Sequence, residues 1–344
     1  MKTRLVKADS AAVNEAASLL REGQVVAFPT ETVYGLGADG LNGDAVARIF
    51  AVKNRPADNP LILHIASRRD LDALVTRIPP AAEAAMVEFW PGPLTLVMEK
   101  TDAVPPIVTA GLPTVAVRMP SHPVARRLIA VAGRPLAAPS ANRSGRPSPT
   151  RAGDVLDDMD GRIPLILDGG SCAVGVESTV LDVTGPTPRI LRPGGVTREM
   201  LWRTLGPVDE APSVMRPLDE GEAAPSPGMR HRHYAPRVPL TIVEGGAPAL
   251  FLRYDQAETR GKTPVLLCTA QTARDAGSRR CVVMGDRDDA DTIAESLFSA
   301  LRELDRVGAD IAFAEAVEPA GVGLAVMNRL LRAAQFRVEG RNTR

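Results

Sequence analysis

The feature that most constrains the fold is an alternation of two patterns along most of the chain. Short runs of β-branched and aliphatic residues, bounded by proline and glycine, alternate with stretches whose apolar residues have helical spacing. The first pattern is typical of buried strands and the second of amphipathic helices. Strands interleaved with helices predict an α/β fold on a twisted, mixed sheet.

The 344-residue chain is long enough for two domains, and one segment interrupts the alternation. Residues 206–236 combine prolines, glycines and scattered charges with no predicted helix or strand, which indicates a linker. Residues 1–205 hold the predicted mixed-sheet domain. Residues 237–344 predict a smaller, Rossmann-like parallel α/β domain. Its clearest helix spans 291–307 and has an apolar face of Ile293, Leu297, Leu301 and Leu304.

The overall composition excludes several classes of protein. The net charge is zero, so global charge points to no polyanionic partner. The three cysteines lack CxxC spacing, which fits reduced thiols better than a disulfide framework. No apolar run approaches the ~20 residues of a membrane span, and the first residues lack the apolar core of a signal peptide. We therefore expect a cytoplasmic protein without a membrane partner.

Charge is distributed unevenly within this neutral chain. Residues 103–153 contain seven arginines and no aspartate or glutamate. Such a stretch predicts a site for phosphates or carboxylates, and a basic surface patch without a ligand is the alternative. Several of these arginines fall near strand ends or in loops, where ligand sites concentrate: Arg118, Arg134, Arg143 and Arg146.

Two further segments carry groups suited to phosphate. Lys53 and Arg55 lie two residues apart, and we place both in an exposed, proline-broken turn where they can face one anion. The segment APSANRSGRPSPT supplies neutral donors at a strand-to-loop transition, namely Ser140, Asn142, Ser144 and Ser148. Capping of turns would explain either segment alone. Together with the arginine-rich stretch they favour phosphate binding.

Other motifs are less specific. Gly35, Gly37 and Gly40 match G-x-G-x-x-G within a segment that we predict to be a polar turn, but six residues separate them from the preceding strand, which argues against a dinucleotide fingerprint. His64 alternates with apolar residues, so on this pattern alone a structural role is favoured over ligand binding. No group of residues has zinc-ligand spacing or the pattern of a covalent nucleophile, and we predict no protein-bound metal.

Seven segments occur in the order typical of YrdC-type domains. They are FPTETVYGLG, KNRPADNPLILH, WPGPLTLV, TVAVRMPSHP, APSANRSGRPSPT, GVESTVLDV and ILRPGG. With PGMRHRHYAP and a second α/β unit, the chain resembles the long, two-domain threonylcarbamoyl-AMP synthases from about residue 10 to its end. The resemblance implies a reaction of L-threonine, bicarbonate or CO2, and ATP that yields threonylcarbamoyl-AMP and pyrophosphate. That intermediate serves threonylcarbamoyl-adenosine modification of tRNA by a downstream transfer machinery.

The resemblance also implies roles for individual residues. The family's catalytic tetrad corresponds to Lys53, Arg55, Ser140 and Asn142, around the ATP phosphates. Further nucleotide contacts correspond to Asn59, Thr114, Ser148, Arg192, His233 and Tyr234, the last two from a linker that closes over ATP. L-Threonine is expected to contact Thr32, His64, Arg118, Ala138 and Ser178. Mg2+ is expected to be carried by the phosphates, since residues 103–153 contain no acids.

Two alternatives remain open on the sequence. One is a nucleic-acid-binding module, since YrdC-type domains present a basic concave face; we keep weak RNA binding as a possible additional property. The other is a carbamoyl transferase with a different substrate. The zinc-finger and acylphosphatase modules that accompany YrdC-type domains in the hydrogenase-maturation carbamoyl transferases are absent from this sequence.

Overall fold

The computed structural model describes residues 2–217 and 233–340. They divide into two units by the density of their internal contacts. The first unit comprises residues up to 144 and from 148 to 230, and the second comprises 145–147 and the residues from 231 onward. Among the helices in these described ranges, none is both long and apolar enough to cross a membrane.

The first unit is built on an eleven-stranded mixed sheet with the order β1-β8-β2-β3-β7-β4-β6-β5-β9-β10-β11. The strands are β1 (Arg4–Lys7), β2 (Val26–Phe28), β3 (Gly35–Asp39), β4 (Ile62–His64), β5 (Leu94–Glu99), β6 (Thr114–Arg118), β7 (Leu136–Ala137), β8 (Leu165–Asp168), β9 (Thr179–Asp182), β10 (Arg189–Arg192) and β11 (Asp209–Glu210). The α-helices are α1 (Ser10–Arg21), α2 (Gly43–Lys53), α3 (Pro80–Phe89), α4 (Pro106–Thr109), α5 (Pro123–Ala132), α6 (Ala152–Met159) and α7 (Arg198–Leu205). Short 3-10 helices cover Arg68–Ala73 and Pro212–Val214.

Helices cover both faces of this sheet because its strands are apolar on both sides. Helices α1 and α5 pack together over one face, in a core that includes Leu20, Phe28 and Leu128. Helices α2, α3 and α6 contribute to the larger core on the other face, which includes Ile49 and Met86. A sheet buried on both faces leaves its strand ends and connecting loops available for ligands.

The second unit has a five-stranded sheet, and every strand pair in it is parallel. Its elements are β12 (Leu240–Val243), α8 (Gly246–Thr259), β13 (Pro264–Cys268), α9 (Ala270–Asp275), β14 (Cys281–Val283), α10 (Ala290–Leu304), β15 (Ile311–Glu315), α11 (Gly323–Ala333) and β16 (Val338–Glu339). The predicted apolar face of α10 is buried along its length. The predicted fold class, a mixed-sheet domain followed by a smaller parallel α/β domain, is confirmed.

The segment 35–40 corrects one sequence interpretation. We expected a polar turn there, but Gly35–Asp39 form the buried strand β3, antiparallel to β2. A Cβ on Gly37 would lie 2.7 Å from the Phe28 ring, and one on Gly40 would lie 2.9 Å from the Pro135 carbonyl oxygen. These glycines therefore allow β3 to pack closely against its neighbours, which explains the pattern without a dinucleotide.

The predicted linker contains regular secondary structure. Residues 206–236 were expected to lack regular structure, yet β11 and the 3-10 helix Pro212–Val214 lie within them. β11 pairs with β10, and this pairing extends the first unit beyond residue 205. Residues 218–232 of the linker that is predicted to close over ATP, including Met229 and His231, lie outside the described residues.

Candidate active site

Lys53 joins the end of α2 to the loop that follows β7. Its Nζ donates hydrogen bonds to the backbone carbonyl oxygens of Ser140, at 2.5 Å, and Asn142. The Lys53 carbonyl accepts a hydrogen bond from the Ser144 amide at 3.1 Å. We predicted an exposed position for Lys53, and that prediction is wrong. Lys53 is the last residue of α2, and it is only 2% exposed. Three of the four residues of the expected tetrad are thus brought together.

Backbone pairing with β3 fixes the same loop. Gly35 forms an isolated antiparallel bridge with Ser140. The Ala141 amide donates to the Tyr34 carbonyl at 2.8 Å, and the Tyr34 amide donates to the Pro149 carbonyl at 2.9 Å. Because both ends of the loop are held by the start of one strand, its donors are positioned before any ligand arrives.

The remaining tetrad residue and two further nucleotide candidates lie near the beginnings of two neighbouring strands. Asn59 precedes β4 and Thr114 begins β6, and these strands are parallel with Ile62 opposite Ala116. Arg55 Nη2 lies 3.4 Å from the carbonyl oxygen of Asn59. The side chain of Asn59 is buried. Arg55, Asn59 and Thr114 therefore lie towards the N-terminal ends of β4 and β6.

The opposite ends of the same two strands carry the predicted threonine residues. His64 ends β4 and Arg118 ends β6, and the two are paired in register. Arg118 is 3% exposed, and its Nη1 donates to Thr32 Oγ1 at 2.9 Å. Thr95 of β5 is paired with Arg118, and its Oγ1 lies 2.8 Å from Ser178 Oγ. Four of the five residues expected to bind threonine thus form one connected cluster.

Ala138 and the last two first-unit candidates are linked to this cluster by short contacts. The Ala138 amide donates to the Ile62 carbonyl, two residues before His64, at 3.0 Å. Arg192 Nη2 donates to the carbonyl oxygen of Ser178 at 3.0 Å. Ser148 Oγ donates to the carboxylate of Glu177, the residue before Ser178, at 2.5 Å. Two nucleotide candidates, Ser148 and Arg192, therefore lie next to the threonine set.

Sequence reasoning missed the acidic member of the cluster. Glu31 is 8% exposed, and its Oε1 lies 2.6 Å from Arg118 Nη2. Burial by itself would raise the pKa of Glu31, but the charge and the close guanidinium of Arg118 and the nearby backbone amides of Glu31 and Ser121 together lower it below its usual value, although none of these contacts has the geometry of a standard hydrogen bond. Glu31 is the only acidic residue within FPTETVYGLG, and this is the one sequence feature that could have identified it as a site residue.

His64 is held in its neutral form. Burial, followed by the positive charge of Arg118, lowers the pKa of His64 to about 3. Its Nδ1 lies 3.2 Å from the Ile62 carbonyl oxygen. A neutral imidazole can accept a hydrogen bond from a hydroxyl group, or donate one to it, without adding charge beside Arg118.

Acidification is therefore expected to destabilise the first unit through His64. The ordinary histidine pKa is 6.5, so below that pH the unfolded chain binds a proton that the folded chain does not. The free energy of unfolding should fall by about 1.4 kcal/mol per pH unit from this residue as the pH drops from 6.5 towards 3. Denaturant titrations at several pH values should show that the free energy of unfolding falls less steeply with decreasing pH in His64→Gln than in the wild type. Equal slopes would contradict this account.

Gly194 in ILRPGG allows the close approach on which the position of Ser178 depends. A Cβ on Gly194 would lie 2.3 Å from the Thr179 amide nitrogen and 2.4 Å from the Glu177 carbonyl oxygen. We expect Gly194→Ala to lower the free energy of unfolding by about 1–3 kcal/mol, because backbone must move. Gly185→Ala is the matched control, since its Cβ would lie 3.8 Å from the nearest atom. Similar melting temperatures for the two variants would contradict the steric argument.

His233 and Tyr234 belong to the second unit. Tyr234 is 5% exposed, and its ring packs 5.2 Å from that of Phe298. The guanidinium of Arg329 lies 5.7 Å from the same ring. These contacts give Tyr234 a packing role within its unit, and its expected contact with nucleotide stays a prediction.

The chain is similar to known proteins along nearly its whole length. Residues 18–194 match a family model described as "Telomere recombination", and residues 196–335 match one described as "Threonylcarbamoyl-AMP synthase, C-terminal domain". Threonylcarbamoyl-AMP synthases of Pyrococcus abyssi and Bacillus subtilis are each 47% identical to the chain. The alignments cover 94% and 95% of this chain and 94% of each relative.

Solved structures extend the likeness to three dimensions. The crystal structure of Pyrococcus abyssi Sua5 complexed with L-threonine has a TM-score of 0.90 at 45% identity and covers 98% of both chains. A variant of the same protein with a histidine and a tyrosine replaced by alanine has a TM-score of 0.91 at 44% identity, covering 98% of this chain and 97% of that one. The chain belongs to the threonylcarbamoyl-AMP synthase family.

Proposed function

We propose that this chain makes threonylcarbamoyl-AMP and pyrophosphate from L-threonine, bicarbonate or CO2, and ATP. One observation carries the proposal: candidates for the two substrates lie at opposite ends of β4 and β6, with Asn59 and Thr114 near the beginnings of these strands and His64 and Arg118 at their ends. Thr114 and Arg118 are four residues apart on β6, about 13 Å at about 3.3 Å per residue. That length suits an extended pair of substrates, with the nucleotide at one end and the amino acid at the other.

The amino-acid end has the groups that L-threonine needs. The planar guanidinium of Arg118 suits a carboxylate, and it is already oriented by Thr32. Neutral His64 and the hydroxyl of Ser178 are suited to the substrate hydroxyl. The complete proposed set is Thr32, His64, Arg118, Ala138 and Ser178.

The nucleotide end would neutralise phosphate charge. We assign the phosphates to Lys53 and Arg55 together with the loop donors of Ser140 and Asn142. Asn59 and Thr114 are proposed as further contacts at this end, and Ser148 and Arg192 are proposed as nucleotide contacts next to the threonine set. No group of three or more His, Cys, Asp or Glu side chains in the described ranges could hold a metal ion. Mg2+ would therefore be bound by phosphate oxygens and water, as its chemistry favours.

The reaction requires positioning and charge neutralisation more than a protein nucleophile. The threonine ammonium group first loses a proton to solvent, and the resulting amine adds to CO2 to give a carbamate with release of a second proton. A carbamate oxygen then attacks the α-phosphorus, and pyrophosphate leaves. Burial raises the pKa of the Cys172 thiol to about 12, so it stays protonated at neutral pH and is a poor nucleophile.

The cellular role follows from the product. We propose that the intermediate passes to a tRNA threonylcarbamoyl-transfer machinery, and that the enzyme works in the cytoplasm, where tRNA is available. Weak RNA binding would depend on exposed arginines of the basic stretch such as Arg126 and Arg127. Arg118 cannot serve that purpose, because it is buried.

Pyrophosphate release in the presence of different amino acids tests the proposal. With ATP and bicarbonate, L-threonine should support release better than L-serine by the value of one buried methyl group, about 10- to 200-fold. L-Alanine should be weaker still, because hydroxyl-binding groups would be left unpaired. Equal turnover with alanine, or no release with threonine, would contradict it.

A further inference from the structure

Glu31 is a buried charged residue beside Arg118, and the preceding assignments give it no role. Its two carboxylate oxygens are buried and make no hydrogen bond of standard geometry within the described part of the chain. Arg118 Nη2 likewise makes no hydrogen bond of standard geometry within the described residues, although it lies 2.6 Å from Glu31 Oε1. The remaining guanidinium nitrogens are engaged: Nε donates to the Gly92 carbonyl at 3.2 Å and Nη1 to Thr32. The ion pair is thus close but incompletely hydrogen-bonded.

A buried pair of this kind is chemically complementary to a zwitterion. A free amino acid carries a carboxylate, which suits Arg118, and an ammonium group, which suits a carboxylate. When such a ligand binds, each charge of the pair exchanges its partner for the opposite charge of the ligand. Neither charge is then left buried without compensation, which would be costly.

We propose that Glu31 is the residue that binds the α-ammonium group of the amino-acid substrate, while Arg118 binds its carboxylate. This assignment rests on the proposed function, because it concerns the same site. It makes Glu31 a specificity residue that selects amino acids over hydroxy acids, which carry the carboxylate alone. The lowered pKa of Glu31 suits binding and not proton removal, since an acid that remains ionised is a weak base.

The competing explanation is that Glu31 only orients Arg118. The two explanations differ in what happens to a ligand without an amine. Loss of an orienting contact would weaken every carboxylate ligand by the same factor. Loss of the ammonium partner would weaken L-threonine selectively, because 3-hydroxybutyrate offers Glu31 only like charge.

Isothermal titration calorimetry at neutral pH with L-threonine and 3-hydroxybutyrate separates these outcomes. For Glu31→Gln we expect L-threonine binding to weaken about tenfold to a hundredfold, the value of a hydrogen bond between charged groups. Binding of 3-hydroxybutyrate should be unchanged or tighter, because a repulsive carboxylate has been removed. Glu31→Asp keeps the charge and should keep the preference for the amino acid.

The control variant is Glu315→Gln. Glu315 is also buried, and it pairs with Arg287 at 2.8 Å within the second unit, so the same change is made to a buried ion pair of the other unit. It should leave both affinities unchanged. An equal loss for both ligands in Glu31→Gln, unchanged threonine binding, or loss of the amino-acid preference in Glu31→Asp would overturn the inference. A folded wild-type protein that fails to bind L-threonine at all would instead overturn the proposed function.

Discussion

Replacing Arg118 by glutamine is expected to lower threonine-dependent pyrophosphate release by about two to three orders of magnitude. The change removes the group proposed to bind the substrate carboxylate, and losses at buried charge pairs are commonly of this size. It also leaves Glu31 buried beside a neutral side chain, which should lower the free energy of unfolding by about 3–5 kcal/mol. Kinetics and denaturant titrations of the same preparation measure the two effects.

A double variant and an exposed arginine provide the controls. Arg118→Gln combined with Glu31→Gln removes both charges, so it should recover much of the stability without recovering activity. Arg126→Gln changes an exposed residue of the same acid-free stretch and should behave like the wild type. Near wild-type turnover of Arg118→Gln would contradict the assignment of Arg118 to the carboxylate.

Replacing Lys53 by methionine is expected to lower ATP-dependent turnover by about a hundredfold or more, because a cation is lost beside the leaving pyrophosphate. Methionine retains most of the apolar stem, so the change isolates the ammonium group. The carbonyl groups of Ser140 and Asn142 would each lose a buried donor. We therefore expect a loss of about 1–3 kcal/mol in the free energy of unfolding as well.

Exposed Arg48 on the same helix supplies the matched control for Lys53. Arg48→Ala should change neither the KM for ATP nor the melting temperature appreciably. Thermal unfolding and steady-state kinetics should be measured together, because a purely structural Lys53 would lower stability without changing the kinetics of the folded fraction. That outcome would remove Lys53 from the set of catalytic residues.

The sequence predicted the fold class well because hydrophobic periodicity is a local property. The helix predicted over 291–307 corresponds to α10, and its predicted apolar face is buried. β3 was missed because its glycines and polar neighbours read as a turn. The glycines are needed because Gly37 packs closely against Phe28. This contact joins two strands, and no local sequence pattern reveals it.

The candidate site could be predicted only in part, because its contacts join residues far apart in the sequence. Motif resemblance proposed most of its residues, but not their burial or partners. Lys53 was expected in an exposed turn because nothing near it in the sequence shows that its amine reaches the Ser140 carbonyl, 87 positions away. Glu31 was missed because its significance comes from Arg118, equally distant along the chain. A lone acid in a polar segment gives little signal until its partner is known.

The central claim is tested most directly by identifying the product. The purified protein should be incubated with ATP, L-threonine and bicarbonate, either unlabelled or labelled with 13C, and the mixture analysed by mass spectrometry. We expect a threonylcarbamoyl-adenylate whose mass rises by one unit with labelled bicarbonate, together with pyrophosphate. An adenylate that forms without incorporating the label, or ATP that remains intact in the presence of threonine, would contradict it.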